Sequence, residues 1–264
     1  MIFEKSAETA YNRPLNRDTW LLGLKAAEIA RAAKPGQFIM IRVREEVSPL
    51  LRRPFSICGL SGDVIQVLYR VVGEGTRLMT GLVPGERVSL LGPLGNGFEG
   101  PRGGEKPVLV GGGVGVAPLF FLLHVLKGEE VSFLAGFPSA EDILTPDLVG
   151  IFDVGFHPAT EDGSEGYAGF VTDLLERRLE ETGRSGKKVK VFACGPRPML
   201  RKVAMLSLER GIPCEVSLEA RMACGLGACQ GCAVPAAEGL GRFYFHVCRD
   251  GPVFPAAAID WRDS

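Results

Sequence analysis

The stretch Val108-Leu-Val-Gly-Gly-Gly-Val-Gly-Val-Ala-Pro118 decides the architecture of the middle of this chain. It opens with aliphatic residues typical of a buried strand, continues through four glycines within Gly111–Gly115, and leads into an apolar run from about Ala117 to Lys127. A buried strand that turns through glycines into a helix is the repeating unit of an open parallel sheet. The whole run is also long enough for a membrane span, but the glycines and Pro118 divide it, so we reject that interpretation.

Strand-like and helix-like segments alternate after this unit. The predicted strands are Val131–Gly136, a short one at Ile151–Phe156, and Val189–Ala193, and the predicted helices are Val171–Glu181 and Pro198–Arg210. Alternation of this kind predicts a parallel sheet covered by helices, which we assign to a domain of residues 101–216.

Two glycine-bearing turns follow predicted parallel strands. The residues concerned are Gly111, Gly112, Gly113, Gly115 and Pro118 in the first turn, and Cys194, Gly195 and Pro196 in the second. Because the carboxyl ends of parallel strands meet at one edge of a sheet, a dinucleotide could lie across both turns, with its pyrophosphate at bare backbone amides. Tight packing is the alternative, since Val116 replaces the third glycine of the usual dinucleotide fingerprint.

Two details bear on a nicotinamide ligand. Cys194 is either a buried apolar filler or a neighbour of the nicotinamide ring. The segment Gly136–Asp142 carries two acids and no arginine where a 2′-phosphate would lie, which favours NAD over NADP.

The first hundred residues are rich in short β-branched and aliphatic stretches separated by turns, as in a small antiparallel barrel. The stretches are Gln37–Val43, Val64–Val72 and Arg87–Leu91. Leu21–Ala33 has the composition of a helix, but its neighbours favour a strand, and we predict a strand there. Gly95–Lys106 holds five glycines and a proline, so we interpret it as the linker between domains 1–100 and 101–216.

Two motifs of the predicted barrel could hold a flavin nucleotide. The residues are Arg53, Pro54, Phe55 and Ser56 in the first motif, and Leu68, Tyr69, Arg70, Gly75 and Thr76 in the second. Arginines and a Gly-x-Gly-Thr turn can bind a diphosphate, while Phe55 and Tyr69 offer flat surfaces to a ring system. The alternative is an ordinary barrel with solvated arginines and a core tyrosine.

Four cysteines near the C-terminus follow the order C-x4-C-x2-C-x15-C: Cys224, Cys229, Cys232 and Cys248. Three thiolates on one glycine-rich loop and a fourth from a returning segment fit a [2Fe–2S] cluster. The alternative is a structural zinc site, which usually takes two short-spaced cysteine pairs or a mixture with histidine. We assign residues 217–264 to this cluster domain.

Charge and cysteine use limit the other possibilities. With 30 Lys and Arg against 31 Asp and Glu, the net charge is −1, which gives no electrostatic case for nucleic acid or an anionic membrane. The remaining cysteines, Cys58, Cys194 and Cys214, form an odd and scattered set, so we expect a reducing cytoplasm. The N-terminus lacks the pattern of a secretion signal.

A nicotinamide exchanges two electrons at once and an iron–sulfur cluster exchanges one. A flavin can do both, so a chain with the first two sites is expected to carry a flavin as well.

The same motifs resemble known families. Arg53–Ser56, Leu68–Arg70 and Gly73–Thr76 are similar to the FAD motifs of the ferredoxin–NADP reductase superfamily, and the two glycine turns to its nicotinamide motifs. Glu219–Val234 followed by His246–Phe254 resembles the electron-transfer subunit of type B dihydroorotate dehydrogenase.

That resemblance implies an oxidoreductase subunit of pyrimidine biosynthesis that binds FAD, one [2Fe–2S] cluster and NAD. It also implies a partner, an FMN-containing dihydroorotate dehydrogenase catalytic subunit, in a heterotetramer of two copies of each. The chain itself is expected to have no dihydroorotate site.

Two other functions are compatible with these patterns. The chain could be the small subunit of a ferredoxin:NADP oxidoreductase or sulfhydrogenase, which is built from similar parts. A zinc-stabilised nucleotide-binding module is the third possibility, and unlike the others it would be colourless.

Overall fold

The computed structural model describes residues 2–44, 49–151, 154–184 and 186–262. The strands are β1 (Phe3–Pro14), β2 (Thr19–Lys25), β3 (Phe38–Arg42), β4 (Arg53–Ser61), β5 (Val64–Arg70), β6 (Arg87–Leu94), β7 (Lys106–Gly112), β8 (Ser132–Phe137), β9 (Gly155–Thr160), β10 (Tyr167–Ala168), β11 (Val189–Cys194), β12 (Cys214–Ser217), β13 (Ala233–Pro235), β14 (Tyr244–His246) and β15 (Val253–Pro255). The helices are α1 (Ala27–Ala32), α2 (Glu74–Thr80), α3 (Val116–Val125), α4 (Val171–Arg184) and α5 (Arg197–Glu209).

The first six strands close into an antiparallel barrel in the order β1-β2-β5-β4-β3-β6. Both β1 and β3 pair with β6, which completes the ring. Aliphatic side chains such as Ile39, Ile41 and Leu90 fill the interior, because alternate residues of each strand face inward. The predicted barrel is confirmed.

The prediction of a strand over Leu21–Ala33 is wrong in its second half. Strand β2 pairs with β5 as far as Lys25, and helix α1 begins at Ala27. At Ala26 the chain turns, its amide bonding the Asp63 carbonyl at 2.9 Å. Beyond that turn no strand of the described part of the chain pairs with it, so the helical composition decides, and Ile29 is buried in the core of the barrel.

The second region is a seven-stranded sheet in the order β10-β9-β8-β7-β11-β12-β15. All its neighbours pair in parallel except β12 and β15. The predicted strand at Ile151–Phe156 is displaced: pairing with β8 starts at Gly155 opposite Ser132, so β9 begins there. Residues 152 and 153 of that prediction lie outside the described residues.

The C-terminal segment completes this sheet. Strand β15 pairs with β12, Val216 lying opposite Phe254, while β13 and β14 form a separate two-stranded sheet. Buried residues from Leu218 to Trp261 therefore share the core of the parallel-sheet region, although sequence spacing assigns residues 217–264 to a domain of their own.

Helix α3 lies between the barrel and the sheet. It is buried on all sides from Val116 to Leu123, where it packs against barrel residues Leu21, Cys58 and Leu68. This position explains why the helix is apolar all round. Among the described residues, no helix has the length and apolar character needed to cross a membrane.

The segment between the barrel and β7 is held against the sheet. Lys190 donates from Nζ to the Glu99 carbonyl and to Glu215 Oε1, both at 2.8 Å, and Glu215 Oε2 accepts the Glu99 amide at 3.0 Å. Both charged side chains of this pair are buried. The predicted linker is therefore fixed in position by a buried ion pair.

Candidate functional site

A cleft of about 360 Å³ opens where the barrel meets the parallel sheet. Its lining includes Arg53, Pro54, Phe55, Ser56, Leu68, Tyr69, Arg70 and Thr76 from the barrel, Val114 and Ala117 from the first glycine turn and α3, and Ser217, Glu219 and Met222 from the end of β12 and the chain after it. Residues from all three predicted regions thus meet at one place. Eight of the nine barrel residues that the sequence predicted for a flavin line this cleft.

The ninth, Gly75, lies against Arg53 at the start of α2. A Cβ at Gly75 would stand 2.4 Å from Arg53 Nε and 2.9 Å from Cζ, so the guanidinium lies directly over this backbone. Arg53 Nη1 also donates to the carbonyls of Leu51 and Pro49. The result is a positive corner suited to a phosphate group.

Two further residues shape this corner. The Thr76 hydroxyl accepts the amides of Val72 and Gly73 at 3.0 and 3.1 Å, so it fixes the turn that precedes α2. Arg70 donates from Nε to Asp18 Oδ2 at 2.5 Å. Burial raises the pKa of Asp18, but the hydrogen bonds from Arg70 and Thr19 and the nearby positive charges together outweigh this effect and lower the pKa below its usual value.

Aromatic side chains form the opposite wall of the cleft. The rings of Phe55 and Tyr69 meet edge to face, with centroids 6.1 Å apart. The Tyr69 hydroxyl donates to Asn12 Oδ1 at 3.1 Å, and burial raises the pKa of Tyr69 to about 12. At neutral pH this wall is an uncharged surface of the kind that a planar ring requires.

The two glycine turns touch each other at the carboxyl ends of β7 and β11, where Gly111 lies opposite Cys194. A Cβ at Gly112 would stand 2.8 Å from Pro196 Cδ, and one at Gly115 would stand 2.6 Å from the Cys194 carbonyl. Packing therefore requires glycine at both positions. Gly113 differs, because its φ of +53° favours glycine and the space beside it is open.

Three groups lie together where the two turns approach the cleft. Cys194 is buried, which raises the pKa of its thiol, and it bonds the Ser217 hydroxyl. Glu219 lines the cleft, and desolvation raises the pKa of its carboxyl. Sequence reasoning did not select Ser217 or Glu219, although Ser217 ends β12 and Glu219 follows it, at the same edge of the sheet.

The four C-terminal cysteines form two pairs. Cys232 and Cys248 have their sulfurs 3.3 Å apart, and Cys229 lies within hydrogen-bonding reach of Cys224. In the part of the chain that the structure describes, no three Cys, His, Asp or Glu side chains meet at a point suited to one metal ion. Two thiol pairs match the needs of a two-iron cluster, which takes two thiolates on each iron.

Backbone amides also point at these sulfurs. The Gly227 amide donates to Cys248 Sγ at 3.1 Å, and the amides of Leu226 and Cys229 donate to Cys224 Sγ at 3.4 Å. Burial raises the pKa of the Cys224 thiol, but these amide bonds outweigh it and lower the pKa to about 6. Such contacts favour thiolates and tune a bound cluster.

The cysteine loop packs on the barrel. A Cβ at Gly225 would stand 2.9 Å from Met40 Cγ. Three residues earlier in the loop, Met222 lines the cleft. Of the apolar residues that flank the ligands, Leu226 is 49% exposed and Val234 only 5%. Leu226 is thus available to a partner, whereas Val234 belongs to the chain's own core.

Comparison with known sequences gives consistent matches. The profile of the iron-sulfur cluster binding domain of dihydroorotate dehydrogenase B matches residues 219–260, which include all four cysteines. Three relatives carry the description "dihydroorotate dehydrogenase B (NAD(+)), electron transfer subunit". That of Bacillus caldolyticus is 39% identical over 98% of this chain and 99% of the relative. That of Geobacillus thermodenitrificans is 40% identical with the same coverage, and that of Desulforamulus reducens is 38% identical over 92% of this chain and 93% of the relative.

Solved structures show the same fold. An NADH-dependent reduced ferredoxin-NADP oxidoreductase, studied for flavin-based electron bifurcation, superposes with a TM-score of 0.84 at 27% identity, over 98% of this chain and 91% of that one. The ferredoxin reductase of carbazole 1,9a-dioxygenase superposes with a TM-score of 0.68 at 24% identity, over 80% of this chain and 67% of that one. The family profile over residues 219–260 confirms an iron–sulfur cluster over the zinc alternative. The assignment of the four cysteines as its ligands stays a prediction.

Proposed function

Since the chain belongs to the family of dihydroorotate dehydrogenase B electron transfer subunits, we propose that it carries electrons from the FMN of a separate catalytic subunit to NAD⁺. Its cofactors are FAD, a [2Fe–2S] cluster and NAD. Bound FAD supplies exchange of electrons both singly and in pairs, which a cluster on one side and a nicotinamide on the other require.

The observation that carries this proposal is the continuity of the cleft with the cysteine loop. Met222 lines the cleft together with Arg53, and Cys224 lies two residues further along the chain. Two residues span at most about 7 Å, so the first thiolate pair is held next to the flavin cleft. A carrier that joins two reactions needs such a short path.

Each group of residues then has a proposed task. Arg53, with the turn that Thr76 fixes, binds the FAD phosphates, while Pro54, Phe55 and Tyr69 form the wall for its ring system. Ser56, Leu68, Arg70 and Gly75 complete this site.

The turns at Gly111–Gly115 and Cys194–Pro196, with Pro118 in the first turn of α3, receive the dinucleotide. Gly113 offers the open approach, and the buried Cys194 lies at the edge that faces the flavin cleft. Cys224, Cys229, Cys232 and Cys248 hold the cluster.

We place the oxidation of dihydroorotate in the partner. The three histidines of this chain lie on separate elements: His124 in α3, His157 in β9 and His246 in β14. Burial lowers the pKa of both His124 and His157. Because these histidines lie on separate elements, we do not expect them to act together as acid and base on dihydroorotate.

The proposed assembly is a heterotetramer with two copies of each subunit, located in the cytoplasm. Seven free cysteines without a disulfide among the described residues fit a reducing compartment.

The test is purification of the native protein with everything that accompanies it, followed by release and identification of flavins. The proposal expects FAD on this chain, FMN on a companion chain of different sequence, and a mass that fits two of each. FAD alone, with no FMN-bearing companion, would contradict the proposed partner.

One observation favours a second candidate, the small subunit of a ferredoxin:NADP oxidoreductase. The superposition on the NADH-dependent reduced ferredoxin-NADP oxidoreductase covers 98% of this chain. A companion that lacks FMN, together with electron transfer from reduced ferredoxin to NADP⁺ by the complex, would support this candidate instead.

A further inference from the structure

Asn12 of β1 uses the whole of its side-chain amide. Its Nδ2 donates to the carbonyls of Met79 at 2.8 Å and Leu82 at 3.2 Å, and its Oδ1 accepts the Tyr69 hydroxyl at 3.1 Å. A reversed amide would set its oxygen against two carbonyl oxygens, so the orientation is fixed. The three partners are 57 to 70 residues away in sequence.

Of these partners, Tyr69 lines the flavin cleft, whereas Met79 and Leu82 lie outside it at the other end of the helix whose first turn supplies Thr76 to the cleft. Met79 and Leu82 lie at the C-terminal end of α2 and just beyond it, where helix carbonyls lack partners within the helix. Seven residues earlier than Leu82, Gly75 lies under the Arg53 guanidinium. Tyr69, only 1% exposed, forms the aromatic wall of the cleft together with Phe55.

We propose that Asn12 is a positioning residue for FAD. Its amide holds the aromatic wall of the cleft and the positive corner at Arg53 at a fixed separation. The inference rests on the proposed flavin site. A single amide anchors the hydroxyl of Tyr69 and the end of α2, so the ring and the phosphates of one ligand meet surfaces that cannot move independently. Asn12 itself does not line the cleft.

The test compares FAD binding by the full-length chain and three variants. Asn12→Leu keeps the side chain's size but removes all three bonds, whereas Tyr69→Phe removes only the hydroxyl and leaves the two bonds to α2. Tyr69→Phe is expected to weaken FAD binding about 5- to 10-fold, the effect of one lost hydrogen bond, and Asn12→Leu at least as much. Each should also change the visible circular dichroism of the bound flavin.

The double variant gives the sharper result. In Asn12→Leu the Tyr69 hydroxyl is buried without an acceptor, so adding Tyr69→Phe removes an unpaired group. The double variant should therefore bind FAD more tightly than Asn12→Leu alone, although Tyr69→Phe weakens binding in the wild-type background. Such a change of sign indicates direct coupling between the two side chains.

A matched control lies in the same barrel. Tyr11 accepts a hydrogen bond from Gln66 Nε2 at 2.8 Å, and Tyr11 does not line the cleft. Tyr11→Phe should lower the melting temperature of the apoprotein and leave the dissociation constant of FAD unchanged. A purely structural role for Asn12 predicts this same behaviour for Asn12→Leu and Tyr69→Phe.

Unchanged FAD affinity and flavin circular dichroism in both single variants would overturn the positioning role, whatever their melting temperatures. If Asn12→Leu does not fold, Tyr69→Phe alone decides, because it keeps the bonds to α2. Failure of the flavin site itself is recognised separately, since the wild-type chain would then not retain FAD.

Discussion

Replacing Gly75 with alanine is expected to separate the stability of the barrel from its affinity for FAD. Gly75 is the second residue of α2, and its backbone φ is one that any residue adopts. Alanine at a helical position is more favourable than glycine by about 0.5–1 kcal/mol. The new methyl group, however, would lie 2.4 Å from Arg53 Nε.

The size of the binding effect follows from this overlap. Carbon atoms in contact are normally about 3.5–4.0 Å apart, so the guanidinium must move by roughly 1 Å or more. A charge-assisted hydrogen bond to phosphate contributes about 1.5–3 kcal/mol, which is about 10- to 150-fold in affinity. Gly75→Ala should approach this loss without removing a charge.

The assay is titration of the apoprotein with FAD, followed by flavin fluorescence, alongside thermal unfolding of the same apoprotein. Gly81→Ala, at the residue that caps the C-terminal end of the same helix, is the matched control, because its Cβ would meet only the Leu78 carbonyl, at 3.6 Å. Arg53→Ala and the double variant with Gly75→Ala complete the set.

We expect Gly75→Ala to keep or raise the melting temperature while it weakens FAD binding, and Gly81→Ala to leave FAD binding unchanged. The double variant should bind no more weakly than Arg53→Ala, since both changes act on one contact. Two results would refute the claim that the positive corner at Arg53 binds the FAD phosphates. One is wild-type FAD affinity in Gly75→Ala, and the other is a loss of affinity in the double variant equal to the sum of the two single losses.

Three further results are expected. Cys229→Ser should abolish or severely perturb the electron paramagnetic resonance of the reduced [2Fe–2S] cluster, whereas Cys58→Ser, in barrel strand β4, should leave the spectrum intact. Lys190→Met should lower the free energy of unfolding in urea by about 3–5 kcal/mol because it leaves a buried Glu215 carboxylate unpaired, and a second change, Glu215→Leu, should recover much of that loss. Adding FAD at 100 times its dissociation constant should stabilise the apoprotein by about 2.7 kcal/mol, and an unchanged melting temperature would show that FAD does not bind the native state.

The sequence predicted the three-part architecture because each part has a local pattern. Glycines between a buried strand and a helix indicate the parallel sheet, and the cysteine spacing indicates the cluster. No local pattern marks β1, Phe3–Pro14, which has few β-branched or aromatic residues. Its pairing with β2 and β6 makes it a strand, a case of tertiary context overriding composition.

The candidate site divides in the same way. Arg53 and Tyr69 were selected because they belong to compact motifs, and the structure brings them to one cleft. Asn12 could not be selected, since its role depends on partners more than fifty residues away. For the glycine turns, the structure supports both interpretations of the sequence. Close packing explains why Gly112 and Gly115 are glycines, whereas Gly113 faces open space, as a ligand-binding glycine would.

The central claim is a division of labour between two subunits, and steady-state turnover tests it most directly. The purified chain, loaded with FAD and its cluster, should reduce artificial acceptors with NADH. It should oxidise no dihydroorotate until an FMN-bearing catalytic subunit is added, after which dihydroorotate should reduce NAD⁺. Dihydroorotate oxidation by this chain alone, free of any companion polypeptide, would contradict the account.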